Sequence, residues 1–295
     1  MYRKILFGID PAGTALGATP VVAAIAGRFA AEVIALEIME LDHDYDYAYD
    51  SDAEPAALAY EVARDLQRLG VSATAEVREL GHGHVGKEIA RVADEVAADL
   101  VALGSRGRSD FMGLLAGSVG HEVAANSKRA VLLVRSSNEP AALDTAAPQP
   151  QIRNVLVGVD GSERSAEAVG AAIDVATAWG ARVIAAHVRE YAFGSEVVPY
   201  IEPNEVAQAV LAAAADRCRE AGVAAEVRAL PGLAGVAREL VALADEVNAD
   251  LIVLGPRRLG DLGGLLLGSV AHQVLHLTRR PLLMAERLQA AANVR

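Results

Sequence analysis

Gly104-Ser105-Arg106-Gly107, nine residues, and then Gly117-Ser118 is a spacing suited to holding phosphate. Glycines that follow a strand let backbone N–H groups come close to an anion. A Gly-Ser pair opening a helix adds unpaired N–H groups and the positive end of the helix dipole. Ser118 can donate its hydroxyl to a phosphate oxygen or cap the helix, and Arg106 and Arg108 bring charge to the same loop. Local chemistry thus leaves two readings open: a polyphosphate cradle, or glycine turns followed by an ordinary cap. The chain writes the stretch a second time as Gly255-Pro256-Arg257-Arg258 and Gly268-Ser269, with Arg258 where the first copy has Gly107. If that position needs a positive φ, a side chain costs about 1 kcal/mol or more. Alternatively, Arg257 and Arg258 replace backbone donors with charge.

The elements that must position these residues repeat as well. KILFGIDPAG (4–13) matches NVLVGVDGSE (154–163), which pairs Asp10 with Asp160. AEVIALEI (31–38) matches ARVIAAHV (181–188), and DEVAADLVALG (94–104) matches DEVNADLIVLG (245–255). GLLAGSV (113–119) matches GLLLGSV (264–270), so all four pairs stand 150 or 151 residues apart in the same order. Such order means duplication. The Ser-, Pro- and Ala-rich stretch between the copies reads as a linker, giving domains at 1–138 and 152–295 joined by 139–151.

Within each copy, short apolar runs alternate with segments of helical period. Strands are expected near 3–9, 32–39, 72–79, 99–104 and 130–135, with helices near 17–31, 54–69, 86–98 and 117–127. The second copy repeats the strands near 152–159, 182–189, 223–229, 250–255 and 281–285. Strands apolar on both sides and joined by helices predict a parallel sheet covered on both faces. The fold class is α/β: two tandem, open, doubly wound (Rossmann-like) domains of five parallel strands each. Ligands in such sheets sit beyond the carboxyl ends of the strands, at a switch point. Asp10 and Asp160 end the first strands, and Gly104 and Gly255 the fourth. These ends are expected to flank one crevice per domain.

Composition narrows the function. The 295 residues carry 27 Lys and Arg against 39 Asp and Glu, a net charge of −12, which argues against nucleic acid and anionic membranes as partners. One cysteine, Cys218, forms no intramolecular disulfide, so a reducing, cytoplasmic location is expected. MYRKILFGID has no h-region of signal-peptide length, and no apolar run reaches membrane-spanning length.

Together, the glycine spacing G-x2-G-x9-G-S, its GLLxGSV context and the aspartate ending the first strand resemble the universal stress protein family. The likeness is to its tandem, two-domain, ATP-binding members and covers nearly the whole chain outside the linker. The resemblance implies ATP across the strand ends, with Mg2+ or with AMP or ADP as alternatives. Adenine would lie near the first-strand aspartate and the end of the second strand, and ribose and phosphates at the glycine loop and the GS helix start. In the first domain this gives Asp10, Gly13, Ile38, Gly104, Arg106, Gly107, Arg108, Gly117, Ser118 and Val119. In the second it gives Asp160, Gly161, Ser162, Val188, Gly255, Arg257, Arg258, Gly268, Ser269 and Val270. Both copies depart from the pattern: Arg258 replaces a glycine, and Asp10-Pro11-Ala12-Gly13 replaces Asp-Gly-Ser, with Pro11 removing a donor. The implied role is stress-response regulation in which nucleotide occupancy is the signal, with no catalytic residue assigned. The alternatives are a slow nucleotide hydrolase or transferase, and a dimerisation module that has lost a site. The apolar runs AVLLVR (130–135) and PLLMAE (281–286) could pair between domains or chains; the resemblance implies that they do, in a pseudo-twofold tandem pair and a homodimer, with an unknown protein partner.

Five signals invite other readings. Gly81-His82-Gly83-His84-Val85-Gly86 fits G-x-G-x-x-G, but it follows the third strand, and the matching loop Leu230-Pro231-Gly232-Leu233-Ala234-Gly235 lacks the pattern. His82 and His84 form a candidate metal pair without a cysteine to join them, which favours a surface loop. His121 and His272 hold equivalent places past each GS pair and are expected on a polar helix face. The run LDHDYDYAYDSDAE (41–54) reads as a solvated loop, and Cys218 as a structural thiol in a helix.

Overall fold

The computed structural model describes residues 2–10, 14–40, 58–106, 119–136, 148–189, 202–255 and 269–286. Most of the linker span and the acidic run at 41–54 lie outside the described residues. The chain forms two compact units, Met1–Pro150 and Gln151–Arg295.

The first unit runs β1 (Lys4–Ile9), α1 (Thr14–Phe29), β2 (Glu32–Glu40), α2 (Leu58–Arg68), β3 (Ala73–Leu80), α3 (Val85–Glu95), β4 (Leu100–Arg106), α4 (Val119–Asn126) and β5 (Ala130–Ser136). Its strands are parallel in the order β3-β2-β1-β4-β5. The second unit runs β6 (Asn154–Gly158), α5 (Glu163–Trp179), β7 (Arg182–Arg189), α6 (Asn204–Glu220), β8 (Ala225–Pro231), α7 (Val236–Glu246), β9 (Leu251–Leu254), α8 (Ser269–Leu277) and β10 (Leu282–Met284). Its order, β8-β7-β6-β9-β10, is the same. The doubly wound α/β class expected from the alternating pattern is therefore the observed one.

Right-handed crossovers place α1 and α2 on one face of the first sheet, with α3 and α4 on the other. Burial on both faces explains the unbroken apolar runs: Ile5, Leu6 and Phe7 in β1 and all of β9 are shut from water. Edge strand β8, by contrast, alternates exposed and half-buried residues. Small helix residues bring the layers close, as Ala15, Ala18, Ala23 and Ala26 are all buried in α1.

At the amino ends of the strands, the two units repeat each other closely. Asp99 accepts hydrogen bonds from the Arg3 and Lys4 amides at 2.7 and 3.0 Å, pinning the start of β1 beside β4. Asp250 accepts from Arg153 and Asn154 at 2.8 and 3.0 Å and does the same for β6. Burial pushes the Cys218 thiol up within α6, in keeping with a structural role.

Candidate functional site

In each unit the chain leaves β1 or β6 toward one neighbour and returns on the other side, which makes a switch point at the carboxyl ends. Gly8 lies opposite Leu103 across β1 and β4, and Val157 opposite Val253 across β6 and β9. Asp10 and Gly104 therefore flank the first crevice, and Asp160 and Gly255 the second. The glycines differ in setting. Gly104 lies inside β4, because β5 stays extended alongside it as far as Ser136 and supplies ladder partners through Arg106. The expected strand end at Gly104 is thus two residues early. In the second unit β9 stops at Leu254, and Gly255 stands just beyond it.

The aspartates are held by the helices that follow them. Asp10 Oδ1 accepts from the Ala15 amide at 3.2 Å, which satisfies one early N–H of α1. Asp160 Oδ1 accepts from the Ser162 amide at 3.0 Å and the Ser162 hydroxyl at 2.6 Å. Ser162 Oγ in turn accepts from the Ser165 amide at 3.2 Å and caps α5. The Asp-Gly-Ser turn, with Gly161 at φ +79°, therefore forms a relay from the strand to the helix. Gly255 makes a close approach of another kind: a Cβ there would lie 2.6 Å from the Arg164 carbonyl oxygen at the start of α5.

Ile38 and Val188 are 6% and 8% exposed, so they form part of the apolar wall under the strand ends. Val119 is exposed in the first turn of α4, and Val270 is half-buried in the first turn of α8. Arg106 closes β4, and Ser269 opens α8. Gly13, Gly107, Arg108, Gly117, Ser118, Arg257, Arg258 and Gly268 lie outside the described residues.

One position at the site escapes motif reading. Glu37 in β2 and His187 in β7 are equivalent, 150 residues apart, and both are buried. Glu37 Oε2 accepts from the Ala59 amide at 3.0 Å, anchoring the start of α2 over the strand end. His187 Nδ1 donates to the Val159 carbonyl at 2.8 Å, and its Nε2 lies 2.6 Å from Glu202 Oε2, just before α6. Arg189 donates to the Glu202 carbonyl at 2.8 Å from the same side. A polar residue inside an apolar strand was the available signal, since such a group is seldom buried without a partner.

The G-x-G-x-x-G stretch has a packing explanation. A Cβ on Gly86 would lie 2.4 Å from Glu122 Cβ and 3.0 Å from the Val119 carbonyl, so this glycine lets α4 pass close to α3. Glu122 Oε2 accepts from the Gly86 amide at 3.2 Å, and its Oε1 lies 2.9 Å from His84 Nδ1. His84 is thereby committed to a carboxylate. Among the described residues no three His, Cys, Asp or Glu side chains are grouped to hold a metal ion. Nor is any described helix long and apolar enough to cross a membrane.

Comparison with known proteins agrees with this architecture. The Universal stress protein family model matches twice, over residues 1–135 and 151–286. The chain is 36% identical over 164 residues to the universal stress protein Rv2005c of Mycobacterium tuberculosis, covering 52% of this chain and 53% of that one. It thus spans about half the length of the curated relatives that it matches first. A universal stress protein from Archaeoglobus fulgidus DSM 4304 shares the fold at TM-score 0.73 and 22% identity, covering 96% of this chain and 98% of the other. A universal stress protein solved in complex with cAMP is 32% identical, with 46% of this chain and 98% of that one covered and a TM-score of 0.37. Matched along both of its halves, the chain belongs to the universal stress protein family.

Proposed function

We propose that each unit binds an adenine nucleotide, ATP in the first instance, at the crevice between β1 and β4 or between β6 and β9. The observation that carries this reading is the repeated placement of an aspartate and a glycine across the switch point of both sheets. Ligands of open parallel sheets occupy that place. The spacing of the glycine loop and GS pair in the sequence suits backbone amides that bind phosphate. Nucleotide occupancy, with or without Mg2+, is the signal in a stress response, and turnover is slow or absent. The protein acts in the cytoplasm as a homodimer that passes the signal to a protein partner.

Denaturing the purified protein and chromatographing the released small molecules tests the reading. Bound ATP, ADP or AMP is expected, together with a rise in melting temperature on adding ATP. The absence of both a released nucleotide and a shift would overturn it. Rapid phosphate release, abolished by Gly117→Ala, would instead make the protein an enzyme. Arg258→Gly then asks about the second crevice. A rise in bound nucleotide from one to two per chain marks the arginine as a block, and a loss marks it as a phosphate ligand. Light scattering during gel filtration checks the homodimer.

A further inference from the structure

One pair of side chains takes no part in the site described above. His272 and His276 stand four residues apart on α8, one turn of helix, so they share a face. Their Nε2 atoms are 3.2 Å apart, with ring centroids 4.5 Å apart and planes at 69°. His276 is exposed and His272 is half-buried, so the gap between the two nitrogens is within reach of solvent. A hydrogen bond between them needs one ring that carries Nε2–H and another that offers a bare Nε2.

The same spacing suits a metal ion. Two imidazole nitrogens bound tetrahedrally to one zinc, each at about 2.0–2.1 Å, stand about 3.3–3.4 Å apart. At a right angle the separation falls to about 2.9 Å, so the observed 3.2 Å lies between these two coordination geometries. We propose that His272 and His276 form a bidentate site for a divalent transition-metal ion of the zinc, nickel or copper class. Binding needs only that the Nε2 proton shift to Nδ1, after which both Nε2 lone pairs face the ion. Two protein ligands leave the other coordination positions to water or to an outside anion. Imidazole selects against magnesium and calcium, which require oxygen donors.

The other unit supplies an internal control. Ala125 stands in α4 where α8 has His276, so the equivalent His121 has no second imidazole one turn on. Among the described residues, α8 therefore carries the pair and α4 does not. It is also separate from the pairing of His84 with Glu122.

The test uses the untagged full-length chain, stripped with a chelator and free of nucleotide, so that its outcome does not depend on nucleotide binding. Zn2+ is titrated in competition with a chromophoric chelator. One Zn2+ per chain is expected to be lost or weakened in both His272→Gln and His276→Gln. Because the second ligand acts intramolecularly, its removal should weaken binding about 100-fold. His276 is exposed, so His276→Gln should fold normally, and Zn2+ should raise the melting temperature of the wild type but not of this variant. His84→Gln should bind Zn2+ as the wild type does, and millimolar Mg2+ should not displace the ion. Equal Zn2+ affinity in wild type and His276→Gln overturns the proposal, as does a site that Mg2+ empties or one lost only in His84→Gln.

Discussion

The first unit braces the start of α3 from outside, and the second unit caps the start of α7 from within. In the first, Gly86 makes room for α4, and Glu122 reaches across to the Gly86 amide and to His84. In the second, Ala237 stands in place of Gly86 and Gln273 in place of Glu122. There Glu239 turns back to accept from the Ala234 amide at 3.2 Å. The ends of the second strands show the same exchange of means, with Glu37 taking a helix amide and His187 taking a carboxylate. The amino ends of the strands, however, are repeated almost atom for atom through Asp99 and Asp250. Divergence is thus concentrated at the carboxyl ends, around the crevices. A duplicated scaffold keeps the bonds that set strand order and varies those at the carboxyl ends of the strands.

The largest effect should come from trading the two packing solutions. Gly86→Ala places a Cβ against Glu122 Cβ and the Val119 carbonyl, neither of which is the free end of a flexible side chain. Overpacking of this kind costs about 2–3 kcal/mol. The reverse change, Ala237→Gly in the second unit, should cost only about 1 kcal/mol through helix propensity. Amide exchange read peptide by peptide would localise each loss to its own unit. Equal losses would mean that α4 does not depend on the missing Cβ.

Much of this scaffold is legible in the residues, and the limits have physical causes. The apolar runs of β1 and β9 mark buried parallel strands because both of their faces are covered. Asp10 and Asp160 stand out because they end such runs. Glu37 and His187 do not, because their partners, Ala59 and Glu202, come from the starts of later helices that no local pattern connects to the strand. Gly86 misleads for a related reason: its need for space arises from Glu122, 36 residues away. The expected end of β4 at Gly104 falls two residues short because a neighbouring strand decides how far the ladder runs.

A smaller, signed effect tests how far the duplication extends. α5 ends at Gly180, at φ +66°, whereas the equivalent Ala30 after α1 adopts φ +51°. A Cβ at Gly180 would meet nothing within 4 Å, so backbone strain is the only difference. Ala30→Gly should therefore stabilise the first unit by about 1 kcal/mol, and Gly180→Ala should destabilise the second by about as much. Chemical denaturation of both variants would check the opposite signs.

The smallest effect concerns charge on α3. Arg91 bonds Glu88 at 2.7 Å and Glu95 at 2.9 Å, while α7 carries Ala242 at the equivalent place. The hydrogen bond from Arg91 holds the Glu88 carboxyl below its ordinary range, and the hydrogen bond from Arg78 does most to lower Glu95. A carboxylate with a depressed folded value contributes its stability above its unfolded value, which is about 4.3 for glutamate. It loses that contribution as the pH falls through the lower, folded value. Arg91→Ala should thus change little at neutral pH, since solvent screens a pair this exposed. Its measurable consequence should be a shallower loss of first-unit stability as the pH drops below about 4. Amide exchange of α3 at several acidic pH values would show it, with α7 unchanged as the reference. A change of the same size in both helices would mean that the arginine present in only one of them does not carry the acid response.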